Sequence, residues 1–593
     1  MELKLMYRVL RALSDCALDF YSEVHVEGQH NVPADGPLIV VSCHHNEILD
    51  IATLAVTIPH RRPLSFWAKS SLFKNPLARA ILVSSGSIPV RRNPNNASSA
   101  NGDHHGGDEG GGRQALFRET FRALDAGAGG TVGVFPEGTS YTEPRIAQVK
   151  EGAAWAALEY LRWKEGRGEE GRLLVVPVGI VHTAKTRYRS RMLVRWGAPI
   201  DIASFIREHG AQTDDEVKAV VKKLTEEIEG RIVKLTINAP DWDTLHVARI
   251  ARDMLWSEER NIAMRDFPDV SQSLIELLSA SDPLPSLFRA RTALLRYYSL
   301  LHYSTISHAH LTALLPNLRQ PSLPTRVRAT SLALRQLLAT VLHPRFLVFL
   351  PPLLAHIPAY ALAGLAKRTL ASPREEETHA EFKAIFGMIG AGATYAVLGG
   401  VLARVVDRLP ILGTVHKVVA QSHGIARAAL EVVERLGDWL GRYGGIWRDR
   451  LVLMGCVYVT AKVLSKWHNG LVGANLIQAQ RLVTALKLAR GICASPSSNL
   501  APNDLELYCT PPEPFSNPFI KRRGPAEAAP KPAAQRKTCP AQVPPSWKFI
   551  RPLLEARTEA SYALADYLAD VEMRDVPQGP ASLRRLRQLG TCF

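Results

Sequence analysis

The residues best suited to chemistry stand in one short run, Cys43-His44-His45-Asn46-Glu47-Ile48-Leu49-Asp50. A histidine held by a carboxylate can take a proton from a hydroxyl, and such a base speeds a transfer by about 10²–10⁴. His45 and Asp50 are five residues apart, which on an ideal helix is about 500°, or roughly 140° off a shared face. The pair therefore cannot meet in mid-helix. It meets if His45 lies in a strand-to-helix turn and Asp50 in the first helical turn behind it. His44 competes for the role but falls one residue outside that spacing. Alone, the pair is weak evidence, since a chance pair or a histidine at a helix cap reads the same way.

Three further blocks follow in order. Gly86-Ser87-Ile88-Pro89-Val90-Arg91-Arg92 sets two guanidinium groups after a short apolar strand, and planar forks suit bidentate phosphate binding. A solvated arginine pair at a strand end is the plainer reading of that block. Phe135-Pro136-Glu137-Gly138-Thr139-Ser140 follows a strand with a turn whose glycine allows close backbone approach. Its Glu137, hydroxyls and amides suit a polar substrate. Val175-Val176-Pro177-Val178-Gly179-Ile180 is apolar and better fitted to shaping a groove than to polar chemistry.

Regular elements must hold these blocks. From Val32 to about Asn238, apolar strand-like runs (37–41, 131–135, 173–178) alternate with helical segments (115–126, 151–164, 214–235). This alternation indicates an α/β domain over 31–238. Asn93 to Gly112 is rich in Asn, Gly, Ser and His and reads as a surface insertion. Its His104-His105-Gly106-Gly107-Asp108 is low-complexity loop rather than a metal site, and no metal is expected.

Residues 1–30 open with an amphipathic helix carrying Met6, Leu10, Leu13, Ala17 and Phe20 at helical spacing. It either docks on its own domain or lies in a membrane interface. Residues 239–345 read as helical. Then Phe346 to Ala366 and Ala384 to Ala403 run 21 and 20 residues without Asp, Glu, Lys or Arg. Each is long enough to cross a hydrocarbon core of about 30 Å, so 346–403 holds two candidate transmembrane segments. Pro351, Pro352 and Pro358 would kink the first, and Gly387, Gly390, Gly392, Gly399 and Gly400 suit close packing by the second. A weaker run, Leu451 to Ala461, lies in a helical membrane-proximal region, 404–509. Residues 510–593 read as a Pro-rich linker and a short terminal helix around 553–573.

Composition narrows the partners. The 593 residues carry a net charge of +16, which favours anionic partners. Nucleic acid is set aside, because no recognised motif or aromatic–basic stacking pattern is present. Seven scattered cysteines without Cys-x-x-Cys indicate neither a disulfide framework nor a zinc module. Arg8, Arg11 and Asp15 interrupt any secretory signal.

Together, in this order, the four blocks resemble the glycerolipid acyltransferase family of glycerol-3-phosphate and lysophosphatidate acyltransferases, over roughly residues 30–235. Ala68-Lys69, Lys74-Asn75-Pro76-Leu77 and Lys150-Glu151-Gly152-Ala153-Ala154 also look like that family. The long region after residue 240 resembles the fungal branch, whose members acylate glycerol 3-phosphate and often dihydroxyacetone phosphate. The resemblance implies an α/β acyltransferase domain with a mixed central sheet flanked by helices, followed by a helical membrane-associated region. It makes His45 the general base and Asp50 its orienting partner, with Arg91 and Arg92 as phosphate ligands. Glu137, Gly138 and Thr139 become acceptor-binding residues, and Pro177 and Lys69 line an acyl or CoA groove. The implied reaction is acyl transfer from acyl-CoA, a co-substrate, to the sn-1 hydroxyl of glycerol 3-phosphate or dihydroxyacetone phosphate, with no resident cofactor. Acylation of lysophosphatidate at sn-2 and a non-catalytic lipid-binding protein are the alternatives. Soluble substrates and membrane lipids as partners place the catalytic domain on the cytosolic face of the endoplasmic reticulum.

Overall fold

Buried β-branched runs form the middle of one sheet. Its strands are β1 (Ser22–Glu27), β2 (Leu38–Ser42), β3 (Leu64–Lys69), β4 (Ile88–Val90), β5 (Thr131–Val134), β6 (Leu174–His182), β7 (Ser190–Trp196) and β8 (Ile200–Asp201). These belong to a computed structural model that describes residues 5–90, 109–127, 129–210, 213–279, 284–317, 323–372, 376–408, 445–495, 500–512, 543–573 and 579–590. Arg91, Arg92, His104, His105 and most of the Pro-rich linker lie outside the described residues.

The strand order is β1-β7-β6-β2-β5-β3-β4, with β8 paired to β6. β2 is paired on both sides, by β5 and β6, and Leu38 to Val41 are fully buried. A strand covered on both faces reads as a continuous apolar run, which is why 37–41 shows no alternation. β2, β3, β4, β5 and β6 pair in parallel, whereas β7 and β8 run antiparallel to β6. The sheet is therefore mixed. Its parallel part brings the ends of β2, β3, β4 and β5 to one edge, where open α/β sheets bind ligands.

Helices flank the sheet. Gly152–Glu165 packs against β2 and against Asp214–Leu235, which also packs on β6. The latter helix begins with a Thr213–Glu216 capping box, satisfying two backbone donors that a helix start leaves open. The N-terminal helix Leu5–Tyr21 docks on helix Ile48–Thr57, and its Tyr7 hydroxyl accepts the Leu64 amide at 3.0 Å. Its Met6, Val9 and Leu13 remain exposed.

The chain forms two compact units. Residues 1–337, 372–381 and 480–593 make one, and residues 338–371 and 382–479 the other. Within the first, helices Trp242–Trp256, Phe267–Leu278, Pro285–Ser304 and Ile550–Met573 share a second core that includes Ile250, Leu274, Tyr297, Leu553 and Tyr567. The terminal helix is pinned there, with the Tyr567 hydroxyl donating to the Leu277 carbonyl at 2.7 Å and Arg557 donating to the Leu315 carbonyl at 2.8 Å.

The second unit holds apolar helix. Pro344–Thr369 and Glu376–Val406 are each long and apolar enough to cross a membrane, with mean hydropathy 1.7. Only 22% of each apolar window is buried, whereas a soluble core helix would be mostly covered. Glycine sets their packing. A Cβ on Gly390 would fall 2.7 Å from Ala359 Cα, and one on Gly399 would fall 2.5 Å from Val457 Cα. Polar side chains in these helices pair with one another and with helix Gly445–Cys493, which carries Val457 and His468. His356 Nε2 meets the Tyr395 hydroxyl at 2.7 Å and His468 Nε2 meets the Tyr360 hydroxyl at 2.5 Å.

Candidate active site

β2 ends at Ser42 and helix Ile48–Thr57 begins after five intervening residues. Between them Glu47 takes φ 43° and ψ −119°, a strained backbone for a residue with a side chain. That turn lets the first helical turn face back along the chain. Asp50, with no exposed surface, uses Oδ2 to accept the backbone N–H of His45 and of Asn46, each at 2.7 Å. The same oxygen lies 3.1 Å from His44 Nδ1. An ionised carboxylate only accepts hydrogen bonds, so Nδ1 carries the proton and Nε2 of His44 is left as the acceptor. His182, at the end of β6, places Nε2 at 3.4 Å from Asp50 Oδ1. Burial alone would raise the Asp50 carboxyl, but His182 and His44 hold it well below the usual carboxylate range.

The imidazole on Asp50 thus belongs to His44, whereas the five-residue spacing assigned it to His45. His45 contributes only its amide to the carboxylate. With the helix starting at Ile48, Asp50 reaches back to cap the amides of 45 and 46, and the ring sharing its oxygen is one residue earlier. The His45 ring stands edge-on to Tyr141, with centroids 5.0 Å apart. Burial lowers it to about 4, so it is neutral near pH 7. His44 instead stacks on Phe135, centroids 4.0 Å apart and planes 15° from parallel.

Phe135 opens the third block, so the first and third blocks are in contact. Further bonds join them. The Tyr141 amide donates to the His44 carbonyl at 3.2 Å, and the Ser140 hydroxyl donates to Glu47 Oε1 at 2.9 Å. Glu137 is buried and accepts the Tyr141 hydroxyl on Oε1 at 2.8 Å. Its Oε2 is buried with no partner among the described residues. Burial raises Glu137 to about 8, so near pH 7 it is a neutral acid with a proton to donate. Gly138 has φ 78°, and a Cβ there would lie 2.6 Å from Lys150 Nζ; only glycine suits that turn. The Thr139 hydroxyl is buried and donates to the Ser140 carbonyl at 3.3 Å.

Lys69 is exposed at the end of β3, in register with Val90 of β4. Arg91 and Arg92, which follow Val90, lie outside the described residues. Pro177 is buried in β6 beside Val41, and its carbonyl accepts the Gly197 amide at 2.8 Å. It is absent from the walls of the cavity next to His45. That cavity, about 390 Å³, is walled by His45, Tyr141, His182, Lys185, Arg249 and Arg252 among others. The sequence reading passed over His182. Its signal is a polar residue ending a long apolar strand, two residues past the fourth block.

Comparison with known proteins supports the grouping of these blocks. Residues 23–181 match the Acyltransferase family model. Glycerol-3-phosphate O-acyltransferase 2 of Saccharomyces cerevisiae is 29% identical over 146 residues, 25% of this chain and 19% of that protein. An uncharacterized acyltransferase of Schizosaccharomyces pombe is 27% identical over 161 residues, 27% of this chain and 22% of that one. The chain thus spans about a fifth of the length of these relatives. The crystal structure of the 1-acyl-sn-glycerophosphate (LPA) acyltransferase from Thermotoga maritima aligns with 38% of this chain and 80% of its own, at 21% identity and a TM-score of 0.25. Residues 23–181, which hold the His44–Asp50 pair and the Glu137 turn, form a domain of the acyltransferase family.

Proposed function

We propose that the protein transfers an acyl group from acyl-CoA to the sn-1 hydroxyl of glycerol 3-phosphate or dihydroxyacetone phosphate, with His44 as the base. The observation that carries this reading is the buried Asp50 carboxylate fixing His44 Nδ1 and leaving Nε2 free to accept a proton. His44 Nε2 takes the proton of the acceptor hydroxyl while its oxygen attacks the thioester carbonyl. The C–O bond forms, the C–S bond breaks, and the CoA thiolate leaves with the proton returned by His44. Asp50 stabilises the imidazolium in between. Glu137, as a neutral acid beside the base, donates a hydrogen bond to a substrate oxygen. Arg91 and Arg92, which follow Val90 in the chain, are assigned to the phosphate, and Lys69 is in register with Val90.

The acceptor assignment draws on the relatives named glycerol-3-phosphate O-acyltransferase. The two apolar helices hold the protein in a membrane, which we assign to the endoplasmic reticulum with the domain facing the cytosol, where its soluble substrates are. No resident cofactor is assigned. Labelled acyl-CoA offered to purified protein with glycerol 3-phosphate, dihydroxyacetone phosphate or lysophosphatidate tests the reading. Label is expected in the first or second product. Label entering only lysophosphatidate would replace the sn-1 assignment with sn-2, and no transfer to any acceptor would leave a lipid-binding protein.

A further inference from the structure

The cavity beside His45 is walled partly by residues the family match does not reach. Helices Trp242–Trp256 and Pro285–Ser304 supply Trp242, His246, Arg249, Arg252, Tyr298 and His302. Four basic side chains line it, Arg145, Lys185, Arg249 and Arg252, against two acids, Glu143 and Glu376. Their commitments differ. Arg252 is engaged, with Nε and Nη2 on Asp253, Nη1 on the Ser271 hydroxyl at 3.2 Å, and its plane over Phe267. Lys185 donates to the Thr142 hydroxyl, which itself donates to Glu377 Oε2 at 2.8 Å. Arg249 has neither a hydrogen bond nor an ion pair among the described residues, and it is half-buried. Its charge also works against that of Lys185.

Glu376, Glu377 and Asp50 offset the Lys185 charge, so Arg249 is the cation in this cavity that an entering anion would pair. Beside them Trp242, His246 and Tyr298 stack in series, with centroids 5.7 and 4.4 Å apart. An apolar aromatic wall next to cations suits an organic phosphate better than a bare ion. We propose that this cavity binds the phosphomonoester group of an organic phosphate, with Arg249 and Lys185 as its ligands. Two sources share that chemistry: the 3′-phosphate end of CoA, which leaves the acceptor phosphate to Arg91 and Arg92, and a three-carbon phosphate acceptor, whose binding here would take that role from them. The choice of these two rests on the acyl-transfer reading; the preference for an anion rests on charge alone.

Calorimetric titration of the full chain in detergent, using glycerol 3-phosphate, adenosine 3′,5′-bisphosphate and inorganic phosphate as probes, tests the proposal without needing turnover. One organic phosphate is expected to bind, and which one identifies the source. Arg249→Gln weakens that binding by about tenfold or more, as the loss of a charge-assisted hydrogen bond requires. Arg249→Lys weakens it less, and Arg265→Gln, at a site 75% exposed, leaves it unchanged. Thermal unfolding of each variant reports folding separately. Equal affinity of Arg249→Gln and wild type for every probe overturns the proposal, as does absence of binding to the wild type. Inorganic phosphate binding as tightly as the organic probes overturns the organic assignment. A protein that binds phosphate through Arg249 yet transfers no acyl group would instead remove the acyl-transfer reading.

Discussion

Asp50 Oδ2 accepts two backbone amides and the His44 ring, while His182 approaches the other carboxylate oxygen, so the base proposed here is His44. His44→Ala is expected to lower kcat by about 10²–10⁴, the usual worth of a positioned base. His45→Ala, which keeps its amide on Asp50, is expected to cost far less. Comparing kcat for the two variants on one membrane preparation checks this, and the reverse ranking would return the role to His45. Glu137 gives a second test. Its folded value of about 8 lies above the ordinary 4.5, so the folded state holds a proton that the unfolded chain releases. The stability it lends is full below about 4.5 and is lost as pH rises through about 8. Glu137→Gln, neutral at every pH, should flatten the fall of the unfolding temperature across that window. It should also remove any alkaline limb near 8 from kcat/KM, provided the carboxyl acts as a donor. An unchanged pH profile in the glutamine variant would exclude that role.

At the level of elements, the terminal helix Ile550–Met573 is core rather than appendage. Leu553 has no exposed surface and belongs to the cluster with Leu274 and Tyr297. Leu553→Ala should therefore destabilise the first unit by about 2–5 kcal/mol, the usual range for a buried leucine. Denaturant unfolding followed by tryptophan fluorescence measures it, and a change within error would mean the helix is not packed. In the second unit, close approach at Gly390 leaves no space for a side chain against Ala359. Gly390→Leu is expected to separate the two apolar helices and make the loop between them more open to protease in detergent, whereas Gly392→Ala, with open space at its Cβ, is expected to behave as wild type.

For the whole molecule, a charge of +16 and two outward-facing apolar helices work in the same direction. If the apolar helices enter lipid as proposed, attachment resists salt, because burial of apolar surface in lipid is not screened, whereas attraction of a basic surface to anionic headgroups is. The protein should remain with membranes after washing in high salt and in alkaline carbonate. A chain lacking residues 338–479 is expected to bind vesicles only at low salt, if it folds. Release of the full-length protein by carbonate would count against spanning helices.

Much of this was legible in the sequence, for physical reasons that are local. A strand covered on both faces must be apolar along its length, so Leu38–Val41 announced the centre of the sheet. A segment able to cross a membrane must lack charge for about 20 residues, so 346–366 and 384–403 stood out as the two long apolar helices. The order of the blocks pointed to the family without any structure. Other features depended on side-chain direction and on residues far apart in the chain. Whether His44 or His45 meets Asp50 turns on the backbone of Glu47 and the helix start at Ile48, which spacing alone does not set. The neutral state of Glu137 comes from burial that only the assembled sheet and Tyr141 create. The return of 550–573 to the core of 242–304, and the sharing of one cavity by Lys185 and Arg249, join residues far apart in the chain, which local periodicity does not encode. The sequence by itself determined which residues could act; the tertiary structure decided which of them face one another.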